Sequence, residues 1–284
     1  MKAPAAEQIF QWVAAALAED IGPGDATTQA TIPPQALAHA AIVAREPLVV
    51  CGLMLAEAAF NKLSAEVRLQ RAAAEGQRVD QGAVLLRIEG PAQAILSAER
   101  VALNFVQRLS GIATLTAQYV EAVRGTRAQI LDTRKTTPGL RLLEKYAVAC
   151  GGGVNHRVGL FDQILIKDNH LAALRQAQPN AIAAAVQRAR AHFPQLKVEV
   201  EADTPEQVRQ AAAAGADIIL LDNMELAQLR EAVQIIAGRA RTEASGGVTL
   251  QTLRAIAETG VDFISVGALT HSARAMDIAL DFDL

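Results

Sequence analysis

The chain has 284 residues and a formal net charge of −3; 51% of its residues are hydrophobic and 20% are charged, which is typical of a soluble globular protein. This length allows one large barrel or two domains. The slightly acidic balance and the 4% of aromatic residues argue against a nucleic-acid-binding protein, which needs a basic face and aromatic stacking surfaces.

The sequence also indicates a compartment. The first residues contain no apolar segment of the secretory type, and no apolar run reaches the roughly 18 residues of a membrane span. Cys51 and Cys150 form neither a Cys-x-x-Cys pair nor a zinc-site spacing. We therefore expect a cytoplasmic protein without a membrane partner, in which both cysteines are buried, reduced thiols.

The first third of the chain alternates between helical and strand patterns. Apolar residues at helical spacing predict a helix over 7–18, and the polar, turn-forming stretch 19–28 ends it. A strand pattern follows over 37–50, interrupted at Glu46-Pro47, and helical spacing returns over 53–63.

Residues 74–90 contain short strand patterns separated by glycines, which predict hairpins. The segment is similar to the half-barrels that carry biotin or lipoyl groups. Such a carrier needs an exposed lysine at a hairpin tip, but no lysine occurs between Lys62 and Lys135. We therefore predict a structural half-barrel.

A long helix is predicted from Ala92 to about Arg124, with an interruption near Gly111. Beyond it, short apolar strands alternate with helices such as Pro205–Ala214 and Leu250–Thr259, which implies a parallel sheet. The predicted strands are Gln129–Asp132, Gln163–Ile166, Lys197–Val200, Asp217–Leu221, Arg241–Ala244 and Asp262–Val266.

Polar or glycine residues follow each of these six strands. This pattern favours an α/β barrel, in which the loops after all the strands build the site. A doubly wound sheet would instead concentrate its ligand groups at one switch point.

Basic side chains are concentrated between residues 132 and 170, although the chain as a whole is acidic. Among glycine-rich turns they suggest a pocket for a small anionic ligand. For His156, a ligand contact and a packed histidine both remain open. A solvated helix face is an alternative for Arg141 and Lys145, which we expect to be bystanders. The full set is Arg134, Lys135, Arg141, Lys145, His156, Arg157, Lys167 and His170.

Two further groups of residues complete the predicted site. The loops Ser245-Gly-Gly-Val-Thr249 and Val266-Gly-Ala-Leu-Thr270 place free backbone N–H groups before helices, where phosphate binds readily. Glu201 and Asp222 end neighbouring strands, where they can hold Mg²⁺ or ribose hydroxyls; structural ion pairing is the alternative. Glu199 shares a face with Glu201, which lies nearer the rim.

Together these motifs resemble the quinolinate phosphoribosyltransferase family over essentially the full length of the chain. The motifs that carry the resemblance are Glu19-Asp-Ile-Gly-Pro-Gly-Asp25, Glu99-Arg100 with Leu109-Ser-Gly-Ile112, Asp132-Thr-Arg-Lys-Thr136, Gly151-Gly-Gly-Val-Asn-His-Arg157, Ile166-Lys-Asp-Asn-His170, Glu199-Val-Glu201, Leu221-Asp-Asn223, Ser245-Gly-Gly247 and Val266-Gly-Ala-Leu-Thr-His271.

The resemblance implies an α/β fold in two domains. An N-terminal α/β half-barrel, sandwich-like domain would cover residues 1–111, and an open TIM-like α/β barrel would cover 112–272. Residues 273–284 would pack back on the first domain. The implied reaction transfers phosphoribosyl from phosphoribosyl pyrophosphate (PRPP) to quinolinate and yields nicotinate mononucleotide, pyrophosphate and CO₂ for NAD biosynthesis. It would require Mg²⁺ and no organic cofactor.

The resemblance also implies a role for individual residues. Lys135, Lys167, Glu201 and Asp222 would be catalytic, and the last two would hold Mg²⁺, partly through PRPP and water. Arg100 would reach the site of the partner subunit in a homodimer. The implied substrate-binding residues are Arg100, Thr133, Arg134, Lys135, His156, Arg157, Lys167, Glu201, Asp222, Ser245, Gly246, Gly247, Val266, Gly267, Ala268 and His271.

Three other functions are compatible with parts of the pattern. A related barrel of molybdenum-transport operons shares the threonine–arginine–lysine and glycine–histidine–arginine blocks, but Ile166-Lys-Asp-Asn-His170 favours the quinolinate enzyme. Transfer to nicotinate would need fewer cations, since nicotinate has one carboxylate fewer. A non-catalytic anion-binding protein would not need Glu201 and Asp222.

Overall fold

The computed structural model describes residues 3–283. In this part of the chain the helices are α1 (Ala6–Ile21), α2 (Ala26–Thr31), α3 (Leu53–Leu63), α4 (Ala92–Ala122), α5 (Arg141–Cys150), α6 (Asp168–Ala173), α7 (Ala181–His192), α8 (Pro205–Ala213), α9 (Leu226–Ile236), α10 (Leu250–Ala257) and α11 (Ala268–His271). The strands are β1 (Leu37–Ala44), β2 (Leu48–Val49), β3 (Arg68–Arg71), β4 (Arg78–Val79), β5 (Val84–Pro91), β6 (Gln129–Leu131), β7 (Ile164–Ile166), β8 (Val198–Ala202), β9 (Ile218–Asp222), β10 (Arg241–Ser245), β11 (Phe263–Ser265) and β12 (Ile278–Asp283).

The chain divides into two compact units. Within the described residues, the first comprises 3–117, 137–152 and 272–283, and the second comprises 118–136 and 153–271. No described helix is both long enough and apolar enough to cross a membrane.

The first unit is built on a four-stranded antiparallel sheet in the order β12-β1-β5-β3, with β2 and β4 paired separately. The last strand of the chain, β12, pairs with β1 in the register Ile42↔Leu280. Helix α1 buries Val13 and Leu17, which lie four residues apart on one face, and α1 contacts α3. Phe60 of α3 is completely buried.

Two local predictions in this unit are wrong. The polar stretch after α1 is not all turn, since α2 begins at Ala26, where the Asp25 carboxylate accepts a hydrogen bond from the Thr28 backbone N–H at 3.0 Å. Helix α4 runs through Gly111 without interruption. A Cβ at Gly111 would lie 1.9 Å from the Arg274 carbonyl oxygen, so this glycine permits close packing of two backbone segments instead of breaking the helix.

The second unit contains a six-stranded parallel sheet in the order β6-β11-β10-β9-β8-β7. In chain order β6 is the first strand of this sheet and β11 is the last, and the two pair with each other. Strands β6 and β7 form the two edges. A single bridge links Leu131 at the end of β6 to Val154. This is the topology of an open barrel, and it confirms the predicted fold class over a doubly wound sheet.

The helices of this unit follow the strands in βα order, and their starts show why the chain turns where it does. Thr204 and Thr249 cap α8 and α10 by accepting hydrogen bonds from backbone N–H groups at the third helical position. Because all six strands run in one direction, their carboxyl ends share one edge of the sheet. The side chains that follow the strands are thereby gathered on that edge.

Candidate active site

A cavity of about 700 Å³ lies at the carboxyl ends of the parallel strands. It brings together every substrate-binding residue that the family resemblance implies except Arg100. These lining residues are Thr133, Arg134, Lys135, His156, Arg157, Lys167, Glu201, Asp222, Ser245, Gly246, Gly247, Val266, Gly267, Ala268 and His271. The loops after β6, β7, β9, β10 and β11 contribute, and β8 contributes Glu201 near its carboxyl end, so all six strands supply groups to the cavity.

Four other predicted basic residues do not line this cavity. Arg100 is exposed on α4 in the first unit, and its role toward a partner subunit stays a prediction. His170 lies on α6 and is also exposed. The solvated-face alternative for Arg141 and Lys145 is wrong for Lys145, which is completely buried because α5 is surrounded by protein over most of its length.

Two guanidinium groups, of Arg134 and Arg157, lie in the cavity wall. Arg157 is 9% exposed, and one of its guanidinium nitrogens donates to the Gln163 carbonyl at 3.2 Å. Burial, and next the positive charge of Arg134, lower the pKa of Arg157. The Arg134 Nε is buried without a hydrogen-bond partner. Two like charges held together in this way favour a ligand with closely spaced negative charges.

A buried carboxylate positions the segment that carries His156 and Arg157. The Asp132 oxygens accept hydrogen bonds from the Asn155 side-chain amide at 2.6 Å and from the His156 backbone N–H at 2.8 Å. Asp132 directly follows β6, the first barrel strand, so this pair of bonds fixes Asn155 and His156 beside the end of that strand.

His156 is held on both ring nitrogens by the protein. Its Nδ1 accepts a hydrogen bond from the Arg157 backbone N–H at 2.8 Å, which leaves the ring proton on Nε2. Nε2 donates to Glu199 at 2.9 Å, and the same Glu199 oxygen accepts from Gln163 at 2.7 Å. His156 is therefore a packed histidine that also lines the cavity, where it can contact a ligand.

A second carboxyl group lies beside this histidine. A Glu243 oxygen is 3.6 Å from His156 Nε2, and Glu243, like Glu199, is about 99% or more buried. Burial, and next the charge of Glu199, raise the pKa of Glu243 well above its ordinary value. One oxygen of each glutamate lacks a hydrogen-bond partner. A proton on Glu243 removes the repulsion between the two acids.

The two predicted acids face the cavity at neighbouring strand ends. Glu201 forms an ion pair with Lys167 at 3.4 Å, so the structural pairing considered for it does occur. Asp222 accepts a hydrogen bond from the Asn223 amide at 2.7 Å. Both carboxylates keep further oxygen lone pairs for a ligand, and carboxylate oxygens suit Mg²⁺ that is bound largely through substrate phosphates.

The glycine loop after β10 comes close to the end of β9. Gly246 has a φ of +98°, and a Cβ there would lie 2.1 Å from the Asn223 side-chain oxygen. Asn223 itself has a φ of +52°. Only glycine allows the two loops to approach this closely, and the following helix α10 points its N-terminus toward the same region.

Some lining residues were missed by the sequence reasoning. Glu243 could have been found, because it lies two residues before Ser245 on β10 and strand side chains alternate between faces. The same alternation applies to Leu165 and Leu220, but an apolar residue carries no functional signal. The missed residues are Leu165, Leu220, Glu243 and Ser265, whereas Asn223, Val248 and Thr249 lie in predicted site motifs without an individual role.

The fold and the cavity define an α/β-barrel protein with a cavity lined by basic and acidic groups at the carboxyl ends of its strands. Residues 25–110 match the family model of the quinolinate phosphoribosyl transferase N-terminal domain, and residues 112–281 match that of the C-terminal domain. The chain belongs to the quinolinate phosphoribosyltransferase family.

Relatives and solved structures agree with this assignment. The chain is 46% identical to a nicotinate-nucleotide pyrophosphorylase [carboxylating] of Mycobacterium leprae, and the match covers 94% of each chain. It is 45% identical to a probable nicotinate-nucleotide pyrophosphorylase [carboxylating] of Bacillus subtilis, over 94% of this chain and 90% of the relative. The NadC structure from Streptococcus pyogenes superposes with a TM-score of 0.94 at 42% identity and covers 100% of both chains.

Proposed function

We propose that the chain transfers the phosphoribosyl group of PRPP to quinolinate and releases pyrophosphate and CO₂. The product is nicotinate mononucleotide, a precursor of NAD. Family membership supports a phosphoribosyltransferase, since the relatives are named for this activity. The observation that carries the proposal is the cavity itself, where buried and exposed cations face two carboxylates and a glycine loop.

The cations provide the quinolinate side. Quinolinate is a dianion with carboxylates on adjacent ring carbons, so it needs closely spaced positive groups. Arg157 and Arg134 form such a pair, and Thr133, Lys135 and His156 line the same wall. Lys167, paired with Glu201, stands between this side and the acids.

The acids and glycine loops provide the PRPP side. Glu201 and Asp222 would bind the ribose hydroxyls and hold Mg²⁺, which supplies positive charge against the departing pyrophosphate. The 5′-phosphate would lie against the backbone N–H groups of the two loops after β10 and β11. The residues assigned to these loops are Ser245, Gly246, Gly247, Val266, Gly267 and Ala268, with His271 close by.

The same arrangement explains how the reaction can proceed without an organic cofactor. Cleavage at the ribose C1 builds oxocarbenium character, and the fixed acids stabilise it while orientation of the ring nitrogen provides much of the rest. Once that nitrogen carries the ribose, the cationic ring accepts the electrons released when CO₂ leaves the adjacent carbon. Lys135 and Lys167 keep the reacting carboxylate in place.

We further propose a homodimer in which Arg100 completes the quinolinate site of the partner subunit. Arg100 is exposed on α4 and does not line the cavity of its own chain, which supports this role. The cytoplasmic location and the domain boundary after residue 111 stay predictions.

The first test compares two acceptors. Purified protein with PRPP and Mg²⁺ is expected to release CO₂ from quinolinate and to form nicotinate mononucleotide, detected by chromatography. Nicotinate, with one carboxylate, is expected to react far more slowly because it leaves a guanidinium group without a partner. A nicotinate rate equal to the quinolinate rate would exclude the dicarboxylate site.

The second test addresses the shared site. Arg100→Ala and Glu201→Ala proteins are each expected to be inactive, and a mixture is expected to regain activity after subunit exchange. Exchange is followed by mass spectrometry of an isotope-labelled variant. A mixture that stays inactive despite complete exchange would contradict the role of Arg100, while leaving the reaction itself intact.

A further inference from the structure

The two cysteines of the chain lie together in the first unit, although they are about one hundred positions apart in the sequence. The sulfur atoms of Cys51 and Cys150 and one carboxylate oxygen of Glu75 all lie within 4.8 Å of one another. Neither cysteine lines the cavity of the proposed active site. The expectation that both thiols are buried is wrong for Cys150, which is partly exposed.

The backbone on both sides of this sulfur pair is firmly held. The Cys51 N–H donates to the Ser110 hydroxyl at 3.0 Å, and that hydroxyl donates to the Cys51 carbonyl at 3.1 Å. Glu75 accepts hydrogen bonds from the Gly52 and Met54 backbone N–H groups at 2.8 and 3.3 Å. The position of these sulfur atoms is therefore built into the fold.

The end of α5 is equally constrained. Cys150 is its last residue, and the next residue, Gly151, packs so tightly that a Cβ would lie 2.4 Å from the Ala113 carbonyl oxygen. Since the sulfur atoms already lie within 4.8 Å of one another, we infer that rotation of the two side chains brings them into bonding contact.

The two thiols differ in their chemical environment. Hydrogen bonds from Cys51 and, less strongly, from the Tyr146 hydroxyl hold the pKa of Cys150 below its ordinary value despite partial burial. Burial raises the pKa of Cys51, whose thiol also faces the Glu75 carboxylate. Cys150 is thus the accessible, thiolate-forming partner, and Cys51 is the protected thiol beside it.

We propose that Cys150 and Cys51 form a peroxide-reactive pair that closes into a reversible disulfide. The Cys150 thiolate attacks hydrogen peroxide, forms a sulfenic acid and releases hydroxide. The Cys51 sulfur then attacks the Cys150 sulfur; Glu75 takes the Cys51 proton, and the sulfenic hydroxyl leaves as water once that proton is passed on. A dithiol reductant reverses the step by thiol–disulfide exchange.

The test uses the full chain and intact-protein mass spectrometry. Reduced protein treated with equimolar hydrogen peroxide is expected to lose two hydrogen atoms, and peptide mapping is expected to show a Cys51–Cys150 link. Dithiothreitol is expected to restore the original mass. Sulfinic acid at Cys150 without an internal link, or disulfides only between chains, would overturn the proposal. This outcome is independent of the transferase activity.

Variants separate the roles of the two thiols. Cys51→Ser is expected to leave a sulfenic acid on Cys150 that dimedone traps, and Cys150→Ser is expected to leave Cys51 unmodified. Tyr146→Phe keeps the ring and removes only the hydroxyl, so it is expected to slow the alkylation of Cys150 by iodoacetamide several-fold. Equal alkylation of Cys51 and Cys150 in the wild-type protein would contradict the assigned roles.

Discussion

The two ends of the parallel sheet differ in how completely their charged groups are paired with one another. At the amino ends, a concavity of about 500 Å³ is lined by charged residues, most of which form ion pairs. Asp262 accepts hydrogen bonds from Arg127, from Arg241 at 2.8 Å, and from the Thr242 backbone at 2.9 Å. Burial alone would raise the pKa of Asp262, but these donors together hold it below its ordinary value.

At the carboxyl ends, the cavity keeps charged groups short of partners. The Arg134 Nε has no hydrogen bond, Arg157 is buried near a like charge, and one oxygen each of Glu199 and Glu243 is unpaired. Such groups cost stability. The sheet therefore has a stabilising amino end, where charged groups form ion pairs within the protein. Its carboxyl end is functional, because there a ligand provides the missing partners.

The largest expected effect follows from removing a buried cation of the functional end. Arg157→Ala is expected to lower kcat/KM for quinolinate by roughly 100- to 1,000-fold, because a desolvated charge pair with a ligand carboxylate is lost. The matched control, Arg241→Ala at the amino end, is expected to leave kcat/KM unchanged and to cost less than about 1 kcal/mol of stability. Steady-state kinetics on both variants test this prediction. Equal losses of kcat/KM would contradict the assignment of function to the carboxyl ends alone.

The second-largest expected effect is a loss of stability on substitution of Asp262, the acid at the centre of the amino-end ion pairs. Asp262→Asn is expected to lower the free energy of unfolding by about 2 kcal/mol at neutral pH, because charge-assisted hydrogen bonds are weakened. Since the pKa of Asp262 is lowered from 3.8 by folding, this stabilisation is complete above that value and is lost as the pH falls through the folded-state pKa. Urea titrations of variant and wild type across this range test it. A difference that persists in strong acid would show another cause.

A glycine at each end offers a smaller, matched comparison. Gly246→Ala introduces a Cβ at a φ of +98° against Asn223 and is expected to raise the KM for PRPP about tenfold. Gly238, between α9 and β10, has a φ of +77° with nothing within 4 Å of the Cβ position. Gly238→Ala is expected to cost stability through the same backbone strain and to leave KM unchanged. Similar KM values for both variants would count against the phosphate loop.

The smallest expected effect is a pH-dependent change in stability caused by the raised pKa of Glu243. Glu243→Gln mimics the protonated acid and is expected to retain most activity. Because folding raises the pKa of Glu243 above 4.5, wild-type stability from this group is greatest below pH 4.5 and declines as the pH rises toward the folded-state pKa. The stability of the variant relative to the wild type should therefore increase with pH above 4.5. A constant difference in urea midpoints over this range would mean that Glu243 is ionised in the folded protein.

Much of this contrast could be predicted from the sequence. Strands of three to five residues alternate with helices, which predicts a parallel sheet. A polar or glycine residue follows each strand, and in a parallel sheet these residues all lie at the same edge. Helix α3 and the barrel strands lie within one or two residues of their predicted bounds because apolar periodicity is a local property.

Other features could not be predicted because they depend on distant neighbours. Gly111 resembles a helix break until Arg274 lies against it. Lys145 resembles a surface residue until α5 is enclosed. The raised pKa of Glu243 follows from its burial and from the proximity of Glu199, more than forty residues away.

By itself, the sequence determined the family, the order of the barrel elements and most of the residues that line the cavity, because motif identity and periodicity are properties of the chain itself. Only the tertiary structure decided which charges are matched and which remain open. It also decided that His156 is held on both nitrogens and that Cys51 meets Cys150. The physical reason is that hydrogen bonding, desolvation and charge coupling act over a few ångströms, whatever the separation in sequence.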